Sequence, residues 1–110
     1  MDAALRAGVA LYNAGEYHAA HDPYEERWLV LDDGTDDERF LHGLVQFTAA
    51  THHARRRNWS GATGLATSAG DYLAGLGDRH RGVDLDPVRR WLDALAADPA
   101  VIERRLPPPL

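Results

Sequence analysis

The sequence predicts an all-α fold, a compact bundle of four to five helices with a central antiparallel helical hairpin. Three observations carry that reading. Alanine is abundant, at 18 of 110 residues, against six valines, five threonines and one isoleucine; this composition favours helix over strand. Apolar residues recur every three to four positions through successive segments. Between those segments stand Asn, Asp, Gly and Pro, the residues that start and stop helices.

Residues 2–14 read as a first helix, with Leu5, Val9 and Tyr12 at helical spacing and Gly15 as its stop. Residues 16–31 read as a second. Pro23 interrupts it, removing one backbone hydrogen bond and crowding the carbonyl of Ala19. Apolar and aromatic positions stay in phase across the proline, so one kinked helix is expected rather than two. The acidic run 32–37 is a loop, after which Asp36 or Thr35 caps the longest helix, 37–56. A short loop between long helices favours antiparallel neighbours, hence the hairpin. Asn58 caps a fourth helix from Trp59 to about Leu76, whose Gly61, Gly64 and Gly70 make it dependent on packing. Residues 77–86 read as a loop. Asp86-Pro87 opens a last helix that runs to Ala97 and stops at Asp98-Pro99. Residues 1–106 are expected to form one helical domain and 107–110 a proline-rich tail, since consecutive prolines cannot occupy a helix interior.

Composition excludes several classes of function. The chain has no cysteine, which removes disulfides, thiolate metal sites and a cysteine nucleophile. All twelve basic residues are arginine, which removes Schiff-base and P-loop lysine chemistry. The formal net charge is −5, unsuited to a phosphate-backbone binder. The run HHARRR at 52–57 reads as a charged helix end complementing the macrodipole. No apolar run approaches the ~20 residues of a membrane span, and the opening MDAALRAGVA lacks the basic and apolar regions of a signal peptide. A cytoplasmic protein with no membrane partner is expected, with nucleic acid a poor candidate partner. A small molecule, another protein or a second copy of the chain remain open as partners. Ser60 and Ser68 lack the strand–turn–helix setting of a nucleophile. Trp59 and Trp91 read as core.

One constellation stands out. His21, Glu25 and Trp28 lie within about 60° of one another on the second helix. A histidine and a carboxylate one turn apart can share a metal ion or form an ion pair. His42, Gln46, Ala49 and His53 form a comparable stripe on the third helix. If the two stripes meet across the hairpin, a polar cluster of His21, Glu25, Trp28, Gln46 and His53 results, supported by Tyr17 and Asn58. Glu38, Arg39, Arg56 and Arg57 fall near the same stripe and argue instead for a solvated face. A buried His–Glu–Gln network can also order a bundle without catalysing anything.

The blocks NAGEYHAAHDPYEERW and FLHGLVQFTAATHHARRRNWSGA resemble the small helical proteins grouped as domain of unknown function family 309. His21, Glu25 and Trp28 match that family's HxxxExxW motif, and Gly43, Leu44, Val45 and Gln46 its second block. His53, Asn58, Gly61 and Ala62 follow at the family's spacing. Pro23 departs from its pattern. The resemblance covers residues 9 to about 76. It implies a compact helical fold and a shared site, not a reaction.

Two functions are therefore expected to compete. One is a non-catalytic binding or interaction module with a His/Glu/Gln cluster. The other is a divalent-metal-dependent enzyme, a hydrolase, with His21, Glu25 and His53 as metal ligands and Glu25 also available as general base.

Overall fold

The computed structural model describes residues 3–110; residue 2, the expected start of the first helix, lies outside them. The chain forms α1 (Ala3–Asn13), α2 (Tyr17–Trp28), α3 (Asp36–Arg55), α4 (Trp59–Leu73) and α5 (Leu85–Ala97), followed by a 3-10 turn at Pro99–Glu103. Between α4 and α5 two short strands, β1 (Arg79–His80) and β2 (Val83–Asp84), pair antiparallel. The fold is all-α.

α3 is the central helix. Its Phe40, Leu41, Leu44, Phe47 and Ala50 are fully buried, and α1, α2, α4 and α5 supply the other side of that core through Tyr12, Tyr24, Leu73, Leu85 and Leu95. Each such side chain removed from water contributes about 1.5–3 kcal/mol. Thr35 caps α3, its hydroxyl oxygen accepting from the Glu38 N–H at 3.3 Å, and Asp36, Asp37 and Glu38 complement the N-terminal end of the dipole. Asn58 caps α4 as expected, accepting from Gly61 N–H at 3.2 Å. α2 runs unbroken through Pro23, and the helix ends at Trp28, leaving Leu29 and Val30 exposed.

α2 and α4 end three residues short of the expected Leu31 and Leu76, and two further differences follow from capping and turn geometry. α5 begins two residues early, because Asp84 rather than Asp86 provides the cap: its carboxylate accepts from the Asp86 N–H. The expected loop 77–86 folds into a β-hairpin. Arg81 and Gly82 both take positive φ, 51° and 81°, the backbone twist that a two-residue hairpin turn needs. Arginine at such a position is uncommon, so the turn was not legible from residue type.

Tertiary contacts hold that hairpin. Asp37, at the start of α3, accepts from His80 Nε2 at 2.7 Å and from Arg81 Nε at 2.9 Å, and pairs again with the Arg81 guanidinium through its second oxygen. The His80 ring lies against Phe40. Hydrogen bonds from Arg81, with a smaller contribution from His80, hold the Asp37 carboxyl at about 2, below its ordinary value, against the opposing effect of burial. A carboxyl lowered in the folded state stabilises above its unfolded pKa, near 4, and loses that contribution as pH falls toward 2. Asp37→Asn is therefore expected to destabilise the protein by about 1 kcal/mol at neutral pH. Urea denaturation at pH 7 and near pH 2 checks this: the deficit should vanish at the acid end, and a deficit independent of pH would refute the charge-based account.

The proline segment 107–110 makes two hydrogen bonds to α1. The Tyr12 hydroxyl donates to the Pro108 carbonyl at 2.7 Å, and the Leu110 N–H donates to Asn13 Oδ1 at 2.8 Å. The segment is docked on α1.

Candidate functional site

Three contacts set the antiparallel register of α2 and α3. The Arg55 guanidinium lies over the Tyr17 ring, 5.5 Å from its centroid. The His18 and His52 rings are 5.4 Å apart, and those of Trp28 and His42 are 4.1 Å apart. Ala20 and Tyr24 turn into the core between these contacts, leaving His21, Glu25 and Trp28 half-buried along the flank. On α3, Phe40, Leu44 and Phe47 face the core, and His42, Gln46, Ala49 and His53 form the half-buried stripe. This placement lies between the two readings of the wheel: the stripe is neither core nor a solvated face.

The polar centre forms around Glu38. Its residue is 6% exposed, and its Oε1 accepts from Trp28 Nε1 at 3.3 Å and lies 3.6 Å from His42 Nδ1. The His42 imidazole sits between two aromatic rings, Trp28 on one side and Tyr72 of α4 on the other, the latter stacked at 3.7 Å with 23° between planes. Gln46 Nε2 is 3.4 Å from His42 Nε2. An amide that donates to Nε2 places the imidazole proton on Nδ1, the nitrogen facing Glu38. Glu38, His42 and Gln46 thus make a row at four-residue spacing along one helix face. Gln46 Oε1 and His42 Nδ1 are buried with no hydrogen-bond partner among the described residues. Beside the row, Gly34, Glu38, Arg39, Asp71 and Tyr72 line an open hollow of about 340 Å³.

The sequence-derived candidates separate into three groups. Trp28 and Gln46 belong to the centre just described. His21 and Glu25 pair with each other, Nδ1 to Oε2 at 3.0 Å, and both side chains are about 40% exposed. His53 is held by the Asn58 amide, 3.1 Å from its Nδ1, at the turn into α4, where Arg57 takes a φ of 62°. Tyr17 packs on Tyr12 and under Arg55. By the register of the hairpin, His53 lies about one turn beyond His21. Among the described residues no three His, Asp or Glu side chains gather so as to hold a metal ion. The expected set of His21, Glu25 and His53 is accordingly not assembled.

Glu38, His42 and Tyr72 were missed as site residues. Glu38 sits among charged residues at a helix start and reads as solvated; Trp28 covers it only because α2 folds back. Spacing did carry a signal for His42, since Glu38, His42 and Gln46 repeat the one-turn interval of His21 and Glu25. Nothing in spacing points to Tyr72, which lies on a different helix.

The far end of the stripe is electropositive. Burial pushes the His52 imidazole below its ordinary value, and His18, His53, Arg56 and Arg55 push it the same way. Near α2's middle, burial pushes the Tyr24 phenol up, opposed by the neighbouring Thr48 hydroxyl.

No helix among the described residues is long and apolar enough to cross a membrane. Comparison with curated proteins finds none that matches. A family model does match, over residues 5–65, which covers most of α1, all of α2 and α3 and the first half of α4, and so includes Trp28 and the whole polar row but not Tyr72. The chain belongs to the family described as domain of unknown function DUF309.

Proposed function

We propose that the protein is a non-catalytic binding module, and that the row of Glu38, His42 and Gln46, flanked by Trp28 and Tyr72, is its binding site. The ligand is a small polar molecule or the polar side chain of a partner protein. One observation carries the reading: a buried acceptor, Gln46 Oε1, and a buried donor position, His42 Nδ1, lack partners on a face that is only half-buried. Unmet hydrogen bonds of this kind cost about 1–3 kcal/mol each, and a ligand group that satisfies one of them recovers that cost on binding. The hollow beside Glu38 offers room, and its rim carries two carboxylates, a guanidinium and a phenol. The exposed His21–Glu25 pair and His53 continue the stripe and would meet a larger partner.

NMR of the Trp28 indole N–H and the His42 ring protons tests the reading, with methylammonium, glycine and acetate as cationic, zwitterionic and anionic probes. A saturable shift with one probe, abolished by Glu38→Gln, is the expected result. No saturable shift with any of the three would overturn it. Titration with zinc is the second arm. One ion per chain, shifting His21 and His53 and lost in His21→Ala, would replace this reading with the metal-dependent hydrolase.

A further inference from the structure

We propose that the groove formed by α1, the start of α5 and the end of α3 recognises proline-rich segments in extended polyproline conformation, and that residues 107–110 occupy it in cis. The intended occupant in trans is a proline-rich segment of another protein.

The groove has the parts that such recognition needs. Consecutive prolines hold φ near −65° and each disfavours helix in the residue before it, so Pro107-Pro108-Pro109 is rigid before it binds. Its backbone has carbonyl acceptors but few N–H donors. A receptor must therefore supply donors and flat apolar surfaces. Here Tyr12 supplies the donor, its hydroxyl meeting the Pro108 carbonyl at 2.7 Å. The next available N–H of the segment, that of Leu110, is met by an acceptor, Asn13 Oδ1 at 2.8 Å. Aromatic surface comes from Tyr12, whose hydroxyl holds the Pro108 carbonyl, from Tyr17 beside Pro107 and from Trp91 beside Pro108.

The segment underfills this groove. Next to Pro107 lies a hollow of about 280 Å³ bordered by Tyr17, Arg55 and Ile102. Next to Pro108 lies another of about 190 Å³ bordered by Trp91 and Arg90. Leu110 borders a third of about 370 Å³ with Leu5, Val9 and Val83. Leu106, which leads into the segment, is 91% exposed, so the chain reaches the groove through a residue with little packing of its own. A ligand with bulkier side chains between its prolines would fill space that this segment leaves open.

A tethered segment competes with any free one at an effective concentration of the order of millimolar. The probe is the free peptide Arg-Leu-Pro-Pro-Pro-Leu, with binding followed by Trp91 fluorescence and the Tyr12 ring resonances of the full chain. Wild type is expected to bind it weakly. Replacing Pro107, Pro108 and Pro109 together by glycine should release the segment and tighten binding about 100-fold. Leu110→Gly removes only one half-buried side-chain anchor and keeps the test valid should the triple variant not fold; it should tighten binding in the same direction. Tyr12→Phe in the released background should weaken the peptide about fivefold. The proposal is overturned if the released, folded variants bind no more tightly than wild type. It is overturned equally if a peptide with the prolines replaced by glycine binds as well, or if the released segment proves to exchange only between two copies of this chain, seen as a concentration-dependent dimer of the wild type.

Discussion

Gly43→Ala is expected to destabilise the protein by about 2 kcal/mol. In most helices this substitution helps, by about 1 kcal/mol, because alanine has less backbone freedom to lose. Here α3 and α4 approach so closely that the added methyl would lie 2.6 Å from Leu73 Cδ2, 2.7 Å from its Cγ and 3.4 Å from Tyr72 Cβ. Leu73 is fully buried and has no free space to move into. Overpacking a filled core costs about 1–3 kcal/mol or more, by forcing side chains off their rotamers or backbones apart. The consequence reaches the candidate site, because the same helix contact places Tyr72 on the His42 ring. Urea denaturation should show the loss, and the His42 ring protons should move as the Tyr72 ring current changes. Gly64→Ala is the control: nothing lies within 4 Å of a Cβ there, so that variant should be slightly more stable than wild type. A Gly43→Ala protein as stable as the Gly64→Ala protein would mean the two helices do not meet as described.

Glu38→Ala carries the largest expected effect at the site itself, about 3 kcal/mol. The carboxylate is buried, and its loss leaves the Trp28 indole N–H and the His42 imidazole without the group they both face. Removing one partner of a buried polar set strands the others, which is why such changes cost more than the interaction contributed. Glu25→Ala is the informative comparison. Its pair with His21 has good geometry at 3.0 Å but is about 40% exposed on both sides, so its loss should cost less than about 0.5 kcal/mol. Each glutamate stands four residues from its histidine, in opposite chain order, and the two pairs differ chiefly in burial. Thermal melts of both variants decide the matter. A Glu25→Ala protein less stable than Glu38→Ala would return the polar centre to the motif pair on α2.

The likeness of the two pairs also explains how far the sequence could lead. Trp28 and Gln46 were legible as candidates, because each sits on a stripe whose spacing marks one helix face. Glu38 was hidden by its position: an acidic residue in the first turn of a helix has a complete explanation in the dipole. Asn58 was legible as a helix cap, but that its amide also holds His53, at the far end of the stripe from Glu38, was not. The β-hairpin at 79–84 was hidden for a different reason, since its turn residue Arg81 takes a backbone conformation that its side chain does not advertise.

What the sequence alone determined is everything that depends on one segment at a time. Helix number and order, a cap at Asp36 or Thr35, the Asn58 cap and the passage of α2 through Pro23 follow from local propensity, capping chemistry and a 3.6-residue period. The tertiary structure alone decided which carboxylate is dry, which histidine lies between two rings, and where the prolines rest. Those outcomes depend on what a second or third helix brings to a given point. Hydrogen-bond valence and solvent access are properties of that point in space, and a periodicity along one chain carries no record of them.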